Sequence, residues 1–530
     1  MMSGCENQLN SQSPKQPLQL PATADLDKVV NYFDIHHPVI GRKGMVVSQN
    51  DIASKIGADI LHRGGNAVDA AVAVGYALAV VLPRAGNLTG GGFMLIHLKD
   101  LNKTVAIDYR ETAPTAAFDD MFLNAQREVI EDKSLETLSS SGVPGTVAGL
   151  NHALEKYGTL TLSEILAPAI ALAKNGITVS DDMIRILTKS ADLLQKNAES
   201  CRVFFKSNCE MYQANDILKQ PDLYNTLTYL SQHGSQGFYK GKIAQKIVSA
   251  MEQGGGLITL ADLENYKVKE VVPVKGTFNG YEILSMPPPS SGGVHLIQML
   301  NMFEQLPMNG IAQGSSLMMH YQTEIFKRAY ADRSQFLGDP AFVSAPISGL
   351  LSKQYAKSLT KNIQADHVTP SNHIFPGKPK TYESSDTTHF SVMDADGNTV
   401  SNTYTLNHYY GSGITIPGTG LLMNNTMDDF LSKVGSPNSY GLMQGEANAI
   451  AANKRPLSSM TPTIVLKNGE PYLATGTPGG SKIITAVFQQ LINVLWFDMN
   501  IAMATNLPRI HHQWQPDILS VEQGISADSI

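Results

Sequence analysis

The longest apolar run of this chain, residues 67–82, is broken by Asp69 and stopped by Pro83. It is too short and too rich in Ala to cross a bilayer, which takes about 20 residues. The run therefore predicts a helix that is apolar on every side and must be enclosed by other elements. The rest of the chain can enclose it. With 530 residues, 42% apolar, 16% charged and 44 glycines, the composition fits one large layered α/β body. A formal net charge of −7, with no cluster of Lys and Arg interleaved with aromatics, excludes nucleic acid as a partner.

Around this run the patterning predicts a helix over 50–62, with Ile52, Ile56 and Ile60 four apart and Gly64-Gly65 as its stop. Strands are predicted at 93–98 and 104–109 after a glycine-rich turn. Gly90-Gly91-Gly92 lacks the spacing and the Lys of a phosphate loop, so it reads as close backbone packing. Residues 160–250 are helical by period, with polar loops at 207–215 and 234–237. Residues 367–385, rich in Pro, Asn, Ser and Lys, read as an exposed flexible linker.

Two hairpins follow. The first pairs 388–393 with 399–406 about Asp396-Gly397, and its register is open. An odd-length loop makes Thr405 and Asn407 flank residue 387 on one face, whereas a two-residue loop puts them on the other. The second pairs 463–466 with 472–475 about Asn468-Gly469 and ends in Gly476-Thr477-Pro478-Gly479-Gly480. Ser481 is then predicted to cap a helix carrying Ile484, Val487, Leu491 and Leu495. Two glycines between a strand end and a helix start leave backbone N–H groups beside the positive end of a helix dipole, a natural oxyanion site.

Thr387 lies in Glu383-Ser384-Ser385-Asp386-Thr387-Thr388-His389-Phe390. Cleavage before it would put an α-amine and a hydroxyl on one residue, supplying general base and nucleophile together. A Thr-Thr pair alone merely begins a strand. The run resembles the processing site of γ-glutamyltranspeptidases, and the likeness extends along nearly the whole chain. Matching stretches before it include Gly64-Gly65-Asn66-Ala67-Val68-Asp69, Arg110-Glu111-Thr112-Ala113-Pro114, Pro287-Pro288-Pro289-Ser290-Ser291-Gly292-Gly293 and Ala331-Asp332-Arg333. After it come Thr403-Tyr404-Thr405-Leu406-Asn407, Asn424-Asn425-Thr426-Met427-Asp428-Asp429, Ser458-Ser459-Met460-Thr461-Pro462 and Thr477-Pro478-Gly479-Gly480.

The resemblance implies a four-layer αββα sandwich of the N-terminal-nucleophile hydrolase type, cut at Asp386–Thr387. A polar tether (1–30), a large subunit (31–386) and a small subunit (387–530) would form one intertwined domain, the two subunits associating as a heterodimer. It also implies transfer of a γ-glutamyl group from glutathione and related amides to water or an amine. Thr405 would orient the Thr387 hydroxyl, and Gly479 and Gly480 would hold the oxyanion. Arg110, with Ser458 and Ser459, would take the α-carboxylate, and Asp429 with Asn407 the α-ammonium. Arg110 otherwise has local carboxylate partners in Asp108 and Glu111. Family members commonly carry Gln where this chain has Thr426, whose shorter side chain loses that contact or bridges it through water. Residues 435–448, with Tyr440, resemble the family's lid loop.

His511-His512 reads as structural packing, since adjacent residues of an extended chain face opposite ways. No cofactor is expected, and no Gly-x-Ser-x-Gly or His-Glu-x-x-His motif suggests serine or zinc hydrolysis. The three cysteines form no metal site; Cys201 and Cys209 either close a small loop or stay as thiols. Met2-Ser3-Gly4-Cys5 resembles the cleavage end of a lipoprotein signal without its apolar stretch, the alternative being an incidental Cys. On that reading the protein is periplasmic or exported, with Cys5 as lipid anchor, and the chain is shortened at both ends. Rival functions are a glutaryl or other side-chain acylase, a γ-glutamyl polymer depolymerase and a non-catalytic binding scaffold.

Overall fold

The computed structural model describes residues 36–379 and 389–530. The predicted cleavage point, Asp386–Thr387, and Cys5 lie outside them. In chain order the elements that frame the site begin with β1 (Gly44–Val47), α1 (Asp51–His62), α2 (Ala67–Val81), β2 (Gly91–Leu98) and β3 (Lys103–Asp108). Next come β4 (Lys269–Val271), β5 (Val274–Phe278), β6 (Tyr281–Ser285), α3 (Ser291–Phe303) and α4 (Ser316–Phe336). The second half supplies β7 (His389–Asp394), β8 (Thr399–Thr405), β9 (Thr463–Lys467), β10 (Glu470–Thr475) and α5 (Ile483–Leu495).

These strands form two large antiparallel sheets, with strand orders β1-β7-β8-β2-β3-β4 and β10-β9-β6-β5. The period-2 alternation of β2 shows how they stack. Phe93 and Leu95 face the second sheet in a cluster with Leu284, Met460 and Ile464, while Met94 and Ile96 face α2. On the far side of the second sheet, Ile283 and Val465 pack with Val294, Phe326 and Phe488 of α3, α4 and α5. The layers thus run helix, sheet, sheet, helix, as expected.

Helix α2 is buried along its whole length. The charge that interrupts its apolar run is a cap: Asp69 Oδ2 accepts from Asn66 N at 2.8 Å, and Asn66 Oδ1 accepts from Asp69 N at 3.0 Å. Asp69 also accepts from Thr159 N and Leu160 N at 2.9 and 3.1 Å, so the buried carboxylate is satisfied.

The first hairpin settles its open register. Asp394 N donates to Asn398 O at 3.1 Å around a three-residue loop, 395–397, with Gly397 at φ 88°. An odd-length loop was one of the two alternatives, and β7–β8 pairing then runs from Met393 with Thr399 to His389 with Thr403. The second hairpin turns through Asn468 (φ 55°) and Gly469 (φ 81°), the two-residue turn that Asn-Gly favours.

Three expectations need correction. Ser481 does not cap α5: a 3₁₀ turn, Gly480–Lys482, precedes the helix, and Ser481 is buried with its carbonyl accepting from the Tyr330 hydroxyl. The loop expected at 234–237 is a kink inside the helix Pro221–Tyr239, made by Gly234 at φ 55°. The described part of the linker is also anchored rather than loose. Gly377 N donates to Asp332 Oδ1 at 2.8 Å, Ser371 N to Asp517 Oδ2 at 2.9 Å, and the Trp514 indole to Ser371 O at 2.9 Å. Polar composition signals exposure, and these partners come from distant parts of the chain. Cys201 and Cys209 are bonded, with Cα atoms 5.3 Å apart.

Candidate active site

Strand β8 ends at Thr405 beside the glycine turn that opens β2. A Cβ on Gly90 would sit 1.7 Å from Thr405 O, so only glycine lets these backbones close. This is the packing role expected of the triple glycine. Beyond the strand the chain turns sharply, with Asn407 at φ 80° and its N–H donating to Thr405 Oγ1 at 2.8 Å. Asn407 Nδ2 donates to Asn425 O at 3.0 Å, tying this turn to the segment that carries Asp429.

Thr405, Asn407, Asp429, Tyr440, Gly479 and Gly480 line one cavity of 290 Å³. Gly479 and Gly480 have φ of 139° and 55°, the second in the left-handed region that favours glycine. Their turn is closed by Lys482 N donating to Gly479 O at 3.1 Å, immediately before α5. Tyr440 reaches across from the 435–448 loop, its hydroxyl donating to Asn407 O at 2.7 Å and its ring stacked on His408 at 4.7 Å. A Cβ on Gly480 would come within 2.5 Å of that ring, so Tyr440 and the glycine turn are fitted to each other.

Beneath the cavity wall Arg110 is fully buried between two carboxylates, Glu111 at 3.2 Å and Asp429 in a shorter contact. One guanidinium offsets one charge, and both acids are desolvated. Burial raises Glu111 to about 7 and Asp429 to about 6, against the pull of Arg110. Arg110 and Asp429, nominated for opposite charges of a substrate, therefore bind each other here; Asp429 lines the cavity and Arg110 stands behind it. Ser458 and Ser459 are also buried away from the lining, and neither hydroxyl has a hydrogen-bond partner among the described residues. The Ser458 carbonyl accepts from Ser291 N and Oγ at 3.2 and 3.0 Å, and Arg333 Nε holds Ser291 Oγ at 3.0 Å. Thr426 does not reach the cavity lining: its hydroxyl donates to Asn424 Oδ1 at 2.7 Å in a buried 3₁₀ turn.

Near the start of β7, His389 contacts Thr403 Oγ1 at 3.1 Å and Ser391 Oγ at 2.7 Å, and desolvation lowers its pKa to about 3. His511 is likewise lowered by burial, to about 4, with its ring nitrogens near Thr485 and Gln513. His512 faces Asp517 at 3.0 Å. Both belong to packing around the linker and α5, the role expected of them. The described residues hold no cluster of His, Cys, Asp or Glu suited to a metal ion.

The motifs that meet at this cavity are those of one family. The profile described as gamma-glutamyltranspeptidase matches residues 53–530. This chain belongs to the γ-glutamyltranspeptidase family. It is 50% identical over 497 residues to the glutathione hydrolase proenzyme of Escherichia coli K12, covering 94% of this chain and 86% of that one. The crystal structure of Helicobacter pylori gamma-glutamyltranspeptidase matches with a TM-score of 0.63 at 45% identity, over 64% of this chain and 97% of that chain. A more distant relative, the acylase ACY 1 proenzyme of Pseudomonas sp. strain SE83, is 35% identical over 95% of this chain and 88% of its own length.

Sequence reasoning passed over several lining residues: Gln49, Arg84, His408 and Tyr409. Arg84 and Gln49 flank helices α2 and α1 more than 300 positions before Thr405, so no local spacing marks them. His408 and Tyr409 adjoin Asn407 and could have been found by following the turn one step further.

Proposed function

We propose that the protein is a self-processing γ-glutamyl hydrolase and transferase, acting on glutathione and related γ-glutamyl amides. The observation that carries this is the convergence of Thr405, Asn407, Asp429, Tyr440, Gly479 and Gly480 on one cavity. The β7–β8 register pairs His389, two residues after Thr387 in the sequence, with Thr403, two residues before Thr405. In the reaction the Thr387 hydroxyl attacks the γ-carbonyl carbon, and its proton passes to the Thr387 α-amine. The tetrahedral oxyanion is held by the N–H groups of Gly479 and Gly480. The C–N bond then breaks, the α-ammonium returns its proton to the departing amine, and water or an amine attacks the resulting ester. Asp429 and Asn407 receive the substrate ammonium. Arg110 with Ser458 and Ser459 receives the α-carboxylate once the Arg110–Asp429 pair is shared with the substrate.

The same hydroxyl first attacks the Asp386 carbonyl, forming an ester by N-to-O acyl shift that water then opens. The 31–386 and 387–530 segments remain one intertwined body. Among the described residues no helix is long and apolar enough to cross a membrane. The Cys201–Cys209 bond fits an oxidising, exported location, with Cys5 as the anchor. Purified protein on a denaturing gel should run as fragments of about 42 and 16 kDa, in proportion to length. Thr387→Ala should give one uncut, inactive chain; a wild type that stays single yet turns over γ-glutamyl amides would sink this mechanism.

A further inference from the structure

The γ-glutamyl reading accounts for part of the cavity lining and leaves the rest unexplained. Besides Asp429 and the glycine turn, the wall includes Arg84 with Ala85, Gln49 and Tyr409. Arg84 is the one residue of that lining with a fixed positive charge. It follows Pro83 just past the end of α2, and its carbonyl accepts from Tyr410 N at 3.0 Å, which fixes it against the turn that carries Asn407. Its side chain is only 16% exposed, so it is held in the wall rather than waving in solvent.

Among the described residues its one ion-pair partner is shared. Arg84 Nη1 donates to Asp182 Oδ2 at 2.5 Å, while Arg185 Nη2 takes Asp182 Oδ1 at 2.6 Å. Two guanidiniums on one carboxylate leave an excess of positive charge. Arg84 Nε and Nη2 make no hydrogen bond to any described residue. The space beyond continues, because Arg84 and Gln49 also wall an adjoining cavity of 190 Å³.

Resting on the proposed γ-glutamyl reaction, we infer that Arg84 is a specificity-determining residue that binds the free carboxylate of the amine side of the reaction. That amine is the peptide expelled from a γ-glutamyl peptide, and by microscopic reversibility also the amino acid or peptide that takes the acyl group. The γ-glutamyl group presents both its charges at the Asp429 end, whereas a peptide leaving group carries its own carboxylate past the scissile bond. In glutathione that carboxylate lies two residues beyond the γ-amide, roughly 7 Å along an extended chain. A mostly buried guanidinium with unused donors suits it, since a charge-assisted pair there is stronger than one in open water.

The test compares kcat/KM for glutathione with that for its glycyl ethyl ester, which keeps every other contact but masks the carboxylate. Wild type should prefer the acid by about five- to thirtyfold, the range of a hydrogen bond to a charged group. Arg84→Gln should bring that ratio close to one. Asp182→Asn, which keeps the guanidinium and removes its competitor, should preserve or raise the ratio. The same ordering should hold for glycylglycine against glycylglycine amide as acceptors. A wild type indifferent to esterification overturns the inference, as does an Arg84→Gln enzyme that keeps the preference. Equal losses on glutathione, its ester and γ-glutamyl-p-nitroanilide in Arg84→Gln would instead assign Arg84 to the γ-glutamyl half and overturn it too. Failure of the underlying reading looks different: wild type would turn over none of the three.

Discussion

On the proposed reading, Asp429 is the residue on which the substrate class turns. A carboxylate facing a desolvated ammonium leaves a costly unpaired charge when either partner is removed, typically about 2–5 kcal/mol. Asp429→Asn should therefore depress γ-glutamyl turnover by roughly thirtyfold to several thousandfold while sparing glutaryl amides, which lack the ammonium. A parallel fall in kcat/KM for γ-glutamyl and glutaryl p-nitroanilides would make Asp429 structural and favour the acylase reading. The raised pKa of Asp429 adds a pH signature. Its acid is protonated below about 6 and ionised above, and only the ionised form attracts the ammonium. The ratio of γ-glutamyl to glutaryl kcat/KM should thus climb as pH rises through about 6, because groups serving both substrates cancel; a flat ratio from pH 5 to 7 would contradict this. At Gly480 the structure also rules out a simple probe. Proline, which would delete the N–H, cannot take φ 55°, and any Cβ meets the Tyr440 ring. Gly480→Ala should accordingly lower kcat by about 10²-fold if an oxyanion donor is displaced. In a Tyr440→Ala background the added loss should be smaller, since the clash is gone; strict additivity of the two changes would show that they do not touch.

At the scale of elements, the β7–β8 hairpin decides which residues can meet. Asp394 holds its loop by accepting from Asp396 N and Asn398 N at 3.1 and 2.8 Å, and it accepts from Ala67 N at 2.9 Å at the start of α2. One carboxylate thereby joins the hairpin to the buried helix. Asp394→Ala should destabilise the protein by roughly 2–3 kcal/mol through the donors it strands. Urea unfolding would register this as a lower midpoint, and an unchanged midpoint would mean water replaces the carboxylate fully. The hairpin's existence was legible from Asp396-Gly397 between alternating runs. Its register was not, because Asp-Gly serves both two- and three-residue loops; the choice follows from the Asp394 hydrogen bonds and from pairing with β2 on the other side. The Ser481 cap failed because Gly479-Gly480 leads into a 3₁₀ turn, Gly480–Lys482, which moves the helix start to Ile483.

For the molecule as a whole, the interleaving of strands bears on what the proposed self-cleavage would do. In the first sheet β7 and β8 lie between β1 and β2, and in the second β9 pairs with β6, so each sheet contains strands from both sides of position 387. The two fragments should co-elute on native size exclusion and separate only in denaturant. Separation in buffer alone would mean that cleavage loosens the sheets. The sequence by itself determined the two hairpins, the enclosed helix and the family. Each rests on local periodicity, turn chemistry or contiguous motifs, which do not depend on what lies across the fold. The tertiary structure alone decided that Arg110 and Asp429 pair, that Thr426 turns inward to Asn424, that Asp332, Trp514 and Asp517 anchor the linker, and that Arg84 joins the cavity lining. Those are contacts between residues mostly tens to hundreds of positions apart. Their partners are chosen by burial and by the charges left unpaired when the layers close, quantities that no stretch of sequence contains.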